Sequence, residues 1–303
     1  MIQTHHTPGC VGKETNWLSA PDRNRRIGNG EYHYLRCECC GLIRLDNVPA
    51  DLGDYYPNDY YELPTLAQLA KVAAVDPFKI KIVQLFAQQG RLLEIGPAYG
   101  TFAFQAKQAG FQVDVIEMDV RCCDYLNRIV GVNALCSASP HETISTLDAS
   151  YDVIALWHVI EHLPDPWALL RAAANHLTPN GILVLAAPNP DAWQFQLMGS
   201  HWPHLDAPRH LYLLPAQVLM DYTQRLGLKH IHYSTTDSDA KSWNRFGWQR
   251  LLMNRVRGKW PERACFVLGY IIGFFMAPFE THDNKGSAYT FVFRKSEPMA
   301  ESK

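Results

Sequence analysis

No stretch of the sequence reaches the roughly 20 consecutive apolar residues that a membrane-crossing helix needs. The nearest approach, ACFVLGYIIGFFMAPF at 264–279, is shorter and contains Gly269, Gly273 and Pro278, so a span is not expected. The first residues, MIQTHHTPGC, lack the basic segment and apolar run of a secretory leader. A reducing, cytoplasmic setting is therefore expected, with at most peripheral contact at the inner face of a membrane. A strong excess of one charge is also missing. With a net charge of -2 the chain is not a general polyanion binder, and no nucleic-acid partner is expected. Internal repeats and low-complexity tracts are absent as well.

What is present is enough residues, 303 with 47% hydrophobic, for one substantial core and something smaller beside it. Three zones can be drawn: a cysteine-containing module at 1–63, a core at 64–236, and a basic and apolar segment with a final strand at 237–303. Of eight cysteines, Cys10, Cys37, Cys39 and Cys40 fall in the first zone. In a reducing compartment such cysteines suggest metal more than disulfides. Cys37-x2-Cys40-Gly has the form of a zinc knuckle. Cys10 is the third donor, Thr7 stands where its partner would be, and His6 or His5 is available as the fourth. Cys39 reads as a bystander. A small loop-rich module with a zinc site from Cys10, Cys37, Cys40 and His6 is the expectation.

Between Leu66 and Leu85 apolar residues recur every three to four, with a break at Asp76-Pro77. From Arg91 onward short apolar runs (92–95, 113–117, 133–136, 153–157, 182–186 and 230–233) alternate with amphipathic stretches. This rhythm predicts a parallel sheet with helices on both faces. SAYTFVFRK near the end alternates like one further edge or inserted strand.

In such folds ligands bind beyond the carboxyl ends of the strands, first of all at the turn after the first strand. That turn reads LLEIGPAYGTF. It lacks the third glycine of a dinucleotide fingerprint and the lysine of a nucleotide-triphosphate loop. Glu94, just before the turn, disfavours a diphosphate and suits a cationic ligand. The second strand ends in Glu117, about 22 residues on, where an acid can accept from ribose hydroxyls. A loop without phosphate logic and a ribose-reading acid point to a nucleoside. Each feature also has a purely structural reading, as a tight turn or a solvated strand end.

LLEIGPAYGTF, DVIEMD, YDVIALWHVIEHLPDP and PNGILVLAAPN together resemble the successive motifs of class I S-adenosylmethionine-dependent methyltransferases, over about 90–235. HVIEHLPDP resembles the small-molecule branch that includes the ubiquinone-biosynthesis O-methyltransferases. The resemblance implies a Rossmann-like sheet and S-adenosylmethionine as cofactor. Glu94, Gly96 and Gly100 would line its methionine end, with Trp157 at the end of the fourth strand. Glu117 would hold the ribose and Met118 would cover the adenine. Ala98 replaces the family's middle glycine, and Ser137 stands where an Asp usually accepts from the adenine amino group. Some family members also carry a cysteine-paired module ahead of a tyrosine-rich segment like DYYPNDYYE.

Methyl transfer from a sulfonium gains mostly from alignment, but a hydroxyl acceptor also needs a base. WHVIEHLPDP offers His158, Glu161 and His162 at the end of the fourth strand. They can supply a general base; the resemblance also implies a divalent-metal triad; structurally, Glu161 and His162 could cap the following helix. The H-x-x-E-H spacing matches a metalloprotease motif that needs a helix, which this position does not offer. Beyond the fifth strand, GSHWPHLDAPRHLYLLP adds Arg209, which could hold an acidic acceptor, and His210, a second base candidate or a packing residue. The acceptor is expected to be small or lipid-linked, methylated at oxygen more than carbon. The rivals are an RNA methyltransferase and a non-catalytic S-adenosylmethionine-binding partner.

Residues 241–263 hold seven Lys/Arg against Glu262, interleaved with Trp243, Phe246, Trp248 and Trp260. With the apolar run that follows, residues 241–279 fit peripheral membrane contact, a lid over a greasy acceptor, an RNA-facing surface, or an exposed helix beside a core pair.

Overall fold

The computed structural model describes residues 3–57 and 60–296; Asn58 and Asp59 of the tyrosine-rich segment lie outside them. The N-terminal zone is built on an antiparallel meander of β1 (Glu14–Pro21), β2 (Glu31–Cys37) and β3 (Ile43–Leu45). In β2, Tyr32, Tyr34 and Cys37 are buried while Glu31, His33 and Arg36 are exposed. The period of two is carried by tyrosines, so the segment reads as loop when only aliphatic residues are followed.

Helix α1 (Leu66–Val75) starts at a capping box between Thr65 and Gln68 and stops ahead of Pro77, where α2 (Phe78–Gln84) takes over. Then come β4 (Arg91–Ile95), α3 (Thr101–Gln108), β5 (Gln112–Glu117), and α4 (Val120–Tyr125), which runs on as a π-helical turn to Val130. Next are β6 (Asn133–Cys136), α5 (Pro140–Ser145), β7 (Tyr151–Trp157), α6 (Pro166–His176) and β8 (Leu177–Pro188). The chain continues through α7 (Trp193–Met198), β9 (Tyr212–Leu213), α8 (Ala216–Arg225) and β10 (Leu228–Ser234). A helical hairpin of α9 (Ser238–Met253) and α10 (Lys259–Thr281) precedes β11 (Ala288–Lys295).

The main sheet has the order β10-β11-β8-β7-β4-β5-β6. Strands β4 to β8 in it pair in parallel, and β11 is inserted antiparallel between β8 and β10. Alternate residues face two cores: Leu93, Ile95, Ile154 and Leu156 pack with Trp167 and Leu170, and Leu92, Val113, Val153 and Ala155 with Phe102 and Tyr125. That double burial explains why the strands read as near-continuous apolar runs.

The smaller sheet has the order β1-β2-β3-β9. Its fourth strand comes from the loop after β8, with Ile43 opposite Leu213, so the N-terminal module and the core share one apolar cluster. Arg209 fastens this junction. It is fully buried and donates to both carboxylate oxygens of Asp22 (2.8 and 3.1 Å) and of Asp206 (2.8 and 2.9 Å). The expectation that Arg209 holds an acidic acceptor is corrected: its guanidinium is spent on two structural carboxylates.

The apolar run is also corrected. Gly269 and Gly273 do not interrupt it, and Lys259–Thr281 is one helix of 23 residues, long and apolar enough to cross a membrane by length and composition. The glycines serve packing. A Cβ at Gly269 would lie 2.5 Å from the Gln249 backbone on α9, and one at Gly273 3.4 Å from the Trp248 ring.

Candidate functional site

After β4 the backbone turns through Gly96 (φ +65), Ala98 (φ 53) and Gly100 (φ +82) into α3. A Cβ at Gly96 would meet Val159 Cγ2 at 2.7 Å, and one at Gly100 would meet Leu126 Cδ2 at 2.4 Å, so both positions require glycine. Ala98 adopts the same left-handed conformation with a methyl group, at a cost of about 1–2 kcal/mol. Its N–H donates to Glu117 Oε2 (2.9 Å), while Met118 N and Asp119 N donate to Oε1 (2.8 and 3.0 Å). Three of the carboxylate's roughly four acceptor sites are therefore spent on the loop itself. Glu117 shapes the turn and keeps one site for a hydroxyl, where the sequence alone suggests two.

Glu94 and Trp157 lie on the same face of adjacent strands, both in contact with the field of Lys79: its Nζ stands 5.0 Å from the Trp157 ring and lowers the Glu94 pKa. Burial dominates and pushes Glu94 up to about 8. Its Oε2 and the Trp157 indole N–H are buried without a hydrogen-bond partner among the described residues. An orphaned acceptor beside an orphaned donor fits the amino and carboxyl groups of an amino acid end. Met118 is half exposed at the loop rim. Ser137 Oγ accepts from Ser139 N (3.1 Å) and Thr143 Oγ1 (2.7 Å), so it braces the turn into α5 and has little acceptor capacity left for an amino group.

The second half of the site leaves the end of β7. His158 has φ 57, a strained conformation of the kind found at functional sites. Its Nε2 is 2.6 Å from Asp239 Oδ2 on α9, and its ring stacks on Trp243 at 3.8 Å. Burial opposes protonation, but the Asp239 and Glu161 carboxylates outweigh it and raise His158 to about 9. Glu161 is fully buried, and neither carboxylate oxygen has a hydrogen-bond partner among the described residues. Its Oε1 is 3.7 Å from His158 Nδ1 and 4.0 Å from His210 Nε2. Burial favours its protonation, and the protonated His158 beside Oε1 reverses this, holding it below the usual carboxylate range.

His162 and His210 are presented alike. His210 Nδ1 lies 2.8 Å from the His204 carbonyl and His162 Nδ1 3.0 Å from the Arg209 carbonyl. A carbonyl only accepts, so Nδ1 carries a proton on both rings and each Nε2 points away from that bond. Burial above all lowers His210 to about 4, which keeps it neutral. Glu161, His162 and His210 offer donor atoms within 4.8 Å of one another. The capping role proposed from sequence falls to Asp165, whose side chain accepts from Ala168 N. The structure thus brings His158, Glu161, His162 and His210 together, and Val159 between them rests on the Gly96 turn.

Two contributors are invisible in the motifs. Asp239 sits in the first turn of α9, just past the carboxyl end of β10; its place on the ligand-binding edge is the signal that could have found it. Tyr56, from the tyrosine-rich segment, places its hydroxyl 3.0 Å from His162 Nδ1. In the N-terminal module the donor atoms of His6, Cys10, Cys37 and Cys40 lie within 4.8 Å of one another. The Cys10 and Cys37 sulfurs are 3.8 Å apart, about the separation of two thiolates on a tetrahedral zinc. His6 Nε2 is buried without a hydrogen-bond partner among the described residues.

The methyltransferase-domain family matches residues 68–233. Among curated proteins, the ubiquinone biosynthesis O-methyltransferase of Bordetella avium is 28% identical over 138 residues, 43% of this chain and 57% of that protein. The protein of the same name from Xanthomonas euvesicatoria is 26% identical over 141 residues, with the same coverage. The chain therefore spans little more than half the length of these relatives. Among solved structures, phosphoethanolamine N-methyltransferase 2 of Haemonchus contortus, in complex with S-adenosyl-L-methionine, has a TM-score of 0.53 at 13% identity. That match covers 92% of this chain and 71% of the other and shows a common fold.

Proposed function

Because this chain belongs to the methyltransferase-domain family and is a class I S-adenosylmethionine-dependent methyltransferase, we propose that it methylates a hydroxyl oxygen on a small or lipid-linked acceptor held beside Glu161. Bound, the cofactor supplies an electrophilic methyl group on a sulfonium sulfur. Gly96, Ala98 and Gly100 would let the backbone approach it, Glu94 and Trp157 would hold its amino acid end, and Glu117 its ribose. Met118 would lie over the adenine, with Ser137 at its edge.

The observation that carries this reading is the buried carboxylate of Glu161 among three histidines, without a hydrogen-bond partner among the described residues. A carboxylate that deep costs several kcal/mol unless something supplies hydrogen bonds to it, and an acceptor hydroxyl would. Glu161 and the neutral His210 are both unprotonated near pH 7 and are placed to accept the hydroxyl proton as the methyl group is transferred. His158 already carries one and serves to orient the cluster through Asp239. The O-methyltransferase names of the similar sequences point the same way. Incubation with methyl-labelled S-adenosylmethionine and phenolic or alcoholic acceptors should give a methyl ether. Label recovered only on carbon or nitrogen would reject O-methylation.

A second reading rests on the matched Nδ1 contacts of His162 and His210 and the closeness of their donor atoms to Glu161: the three would hold a divalent cation that binds the acceptor oxygen. For the N-terminal cluster we propose one structural zinc on Cys10, Cys37, Cys40 and His6. Thr7, where a fourth cysteine would stand, has its hydroxyl 3.5 Å from the Cys40 sulfur.

Replacing Glu117 by Ala should weaken S-adenosylmethionine binding at least tenfold. It removes one ligand bond to a charged group, worth about 1.5–3 kcal/mol, and frees three loop N–H groups. Calorimetry showing wild-type affinity would remove Glu117 from the cofactor site.

A further inference from the structure

The hairpin of α9 and α10 leaves an unusual surface. On α10, Phe266, Ile271, Phe274, Phe275 and Phe279 are exposed, Phe274 and Phe275 by 71% and 64% of their area. No charged residue falls between 264 and 279. Directly before this run the chain places Arg255, Arg257, Lys259 and Arg263 against a single acid, Glu262, and Trp260 is 75% exposed among them.

Exposed apolar area of this extent marks a contact surface, and the arrangement restricts what covers it. The small residues that would let another helix approach closely, Gly269 and Gly273, are already used against α9. What remains outside is bulky and aromatic, suited to sinking between acyl chains more than to close packing. The face is also turned away from α9, the helix that reaches the active site through Asp239 and Trp243, so it is not the inside of a lid. The basic cluster at one end completes the pattern of an interfacial helix: apolar below the headgroups, cationic at their level.

We infer that the outer face of α10, with the basic turn before it, docks the protein on an anionic lipid bilayer. The helix lies in the interface and does not cross. Its inner side stays on α9, where Glu280 is buried and accepts from Gln194 Nε2 and Trp248 Nε1, both at 2.7 Å. The inference stands apart from the choice of acceptor, since it concerns attachment alone.

The test is co-sedimentation of the full chain with phosphatidylcholine vesicles with and without phosphatidylglycerol. Attachment is expected only to the anionic vesicles, and high salt should release it by screening. Phe274→Ser with Phe275→Ser, and separately Arg257→Gln with Arg263→Gln, should each lower the bound fraction constant about tenfold or more. Unchanged S-adenosylmethionine binding shows that the variants fold, because none of these residues belongs to the site. No attachment by the wild type, or equal attachment to neutral vesicles, overturns the inference. So does a homodimer in solution that Phe274→Ser with Phe275→Ser dissociates, which would assign the face to a second copy. Attachment that survives salt and alkaline washing would mean that the helix inserts fully.

Discussion

Glu161→Gln should slow methyl transfer to a hydroxyl by two to four orders of magnitude, the usual loss when a general base is removed, while S-adenosylmethionine affinity stays within about twofold. The substitution keeps the volume of a side chain that has no exposed surface but removes the charge to which His158 and His210 are turned. Single-turnover rates on the true acceptor, with calorimetry of cofactor binding in parallel, separate chemistry from binding. His210→Ala and His162→Ala should share the defect. Asp239→Asn, one step removed, should shift the pH profile more than the maximal rate. If all of these variants turn over nearly normally, no base operates here and alignment of the two substrates carries the reaction.

Loss of the zinc proposed for the N-terminal cluster should have the largest effect on stability. Protein purified without added metal should contain about one equivalent, and Cys37→Ala should contain none. Structural zinc sites in isolated small domains contribute on the order of 10 kcal/mol. Here the loss should be smaller, since Tyr34, Leu42, Ile43 and Leu45 also pack on the main core. Chelation should therefore lower the melting temperature clearly and open residues 10–45 to proteolysis before the main sheet. A metal-free protein with an unchanged melting curve would show that the cluster is only a set of reduced thiols.

The parts of the molecule legible in the sequence are those whose cause is local. Strand β6 coincides with its expected residues, 133–136, because an apolar run between two turns decides it. The Gly96–Gly100 turn and Glu117 follow from one β-α-β unit. Where the cause is distant, the sequence is silent. Arg209 looks like a free cation until Asp22, 187 positions earlier, is seen on its guanidinium. Asp239 meets His158 across 81 positions, and β9 is two residues long, paired with a strand of another zone. Glycine misleads for a related reason. Gly269 and Gly273 weaken a helix considered alone, yet this helix persists because the missing side chains make room for α9.

The place of β11 has a consequence for biosynthesis. It fills the gap between β8 and β10, and it comes later in the chain than every other strand of the sheet. Until residue 295 has left the ribosome, the aliphatic edge of β8, Ile182 to Ala187, has no neighbour on that side. An open apolar edge is a template for pairing with other chains, and the exposed phenylalanines of α10 emerge just before it is covered. Closure of the sheet on that side must await the synthesis of β11, and until then the bare edge of β8 is a hazard of mispairing for the nascent chain.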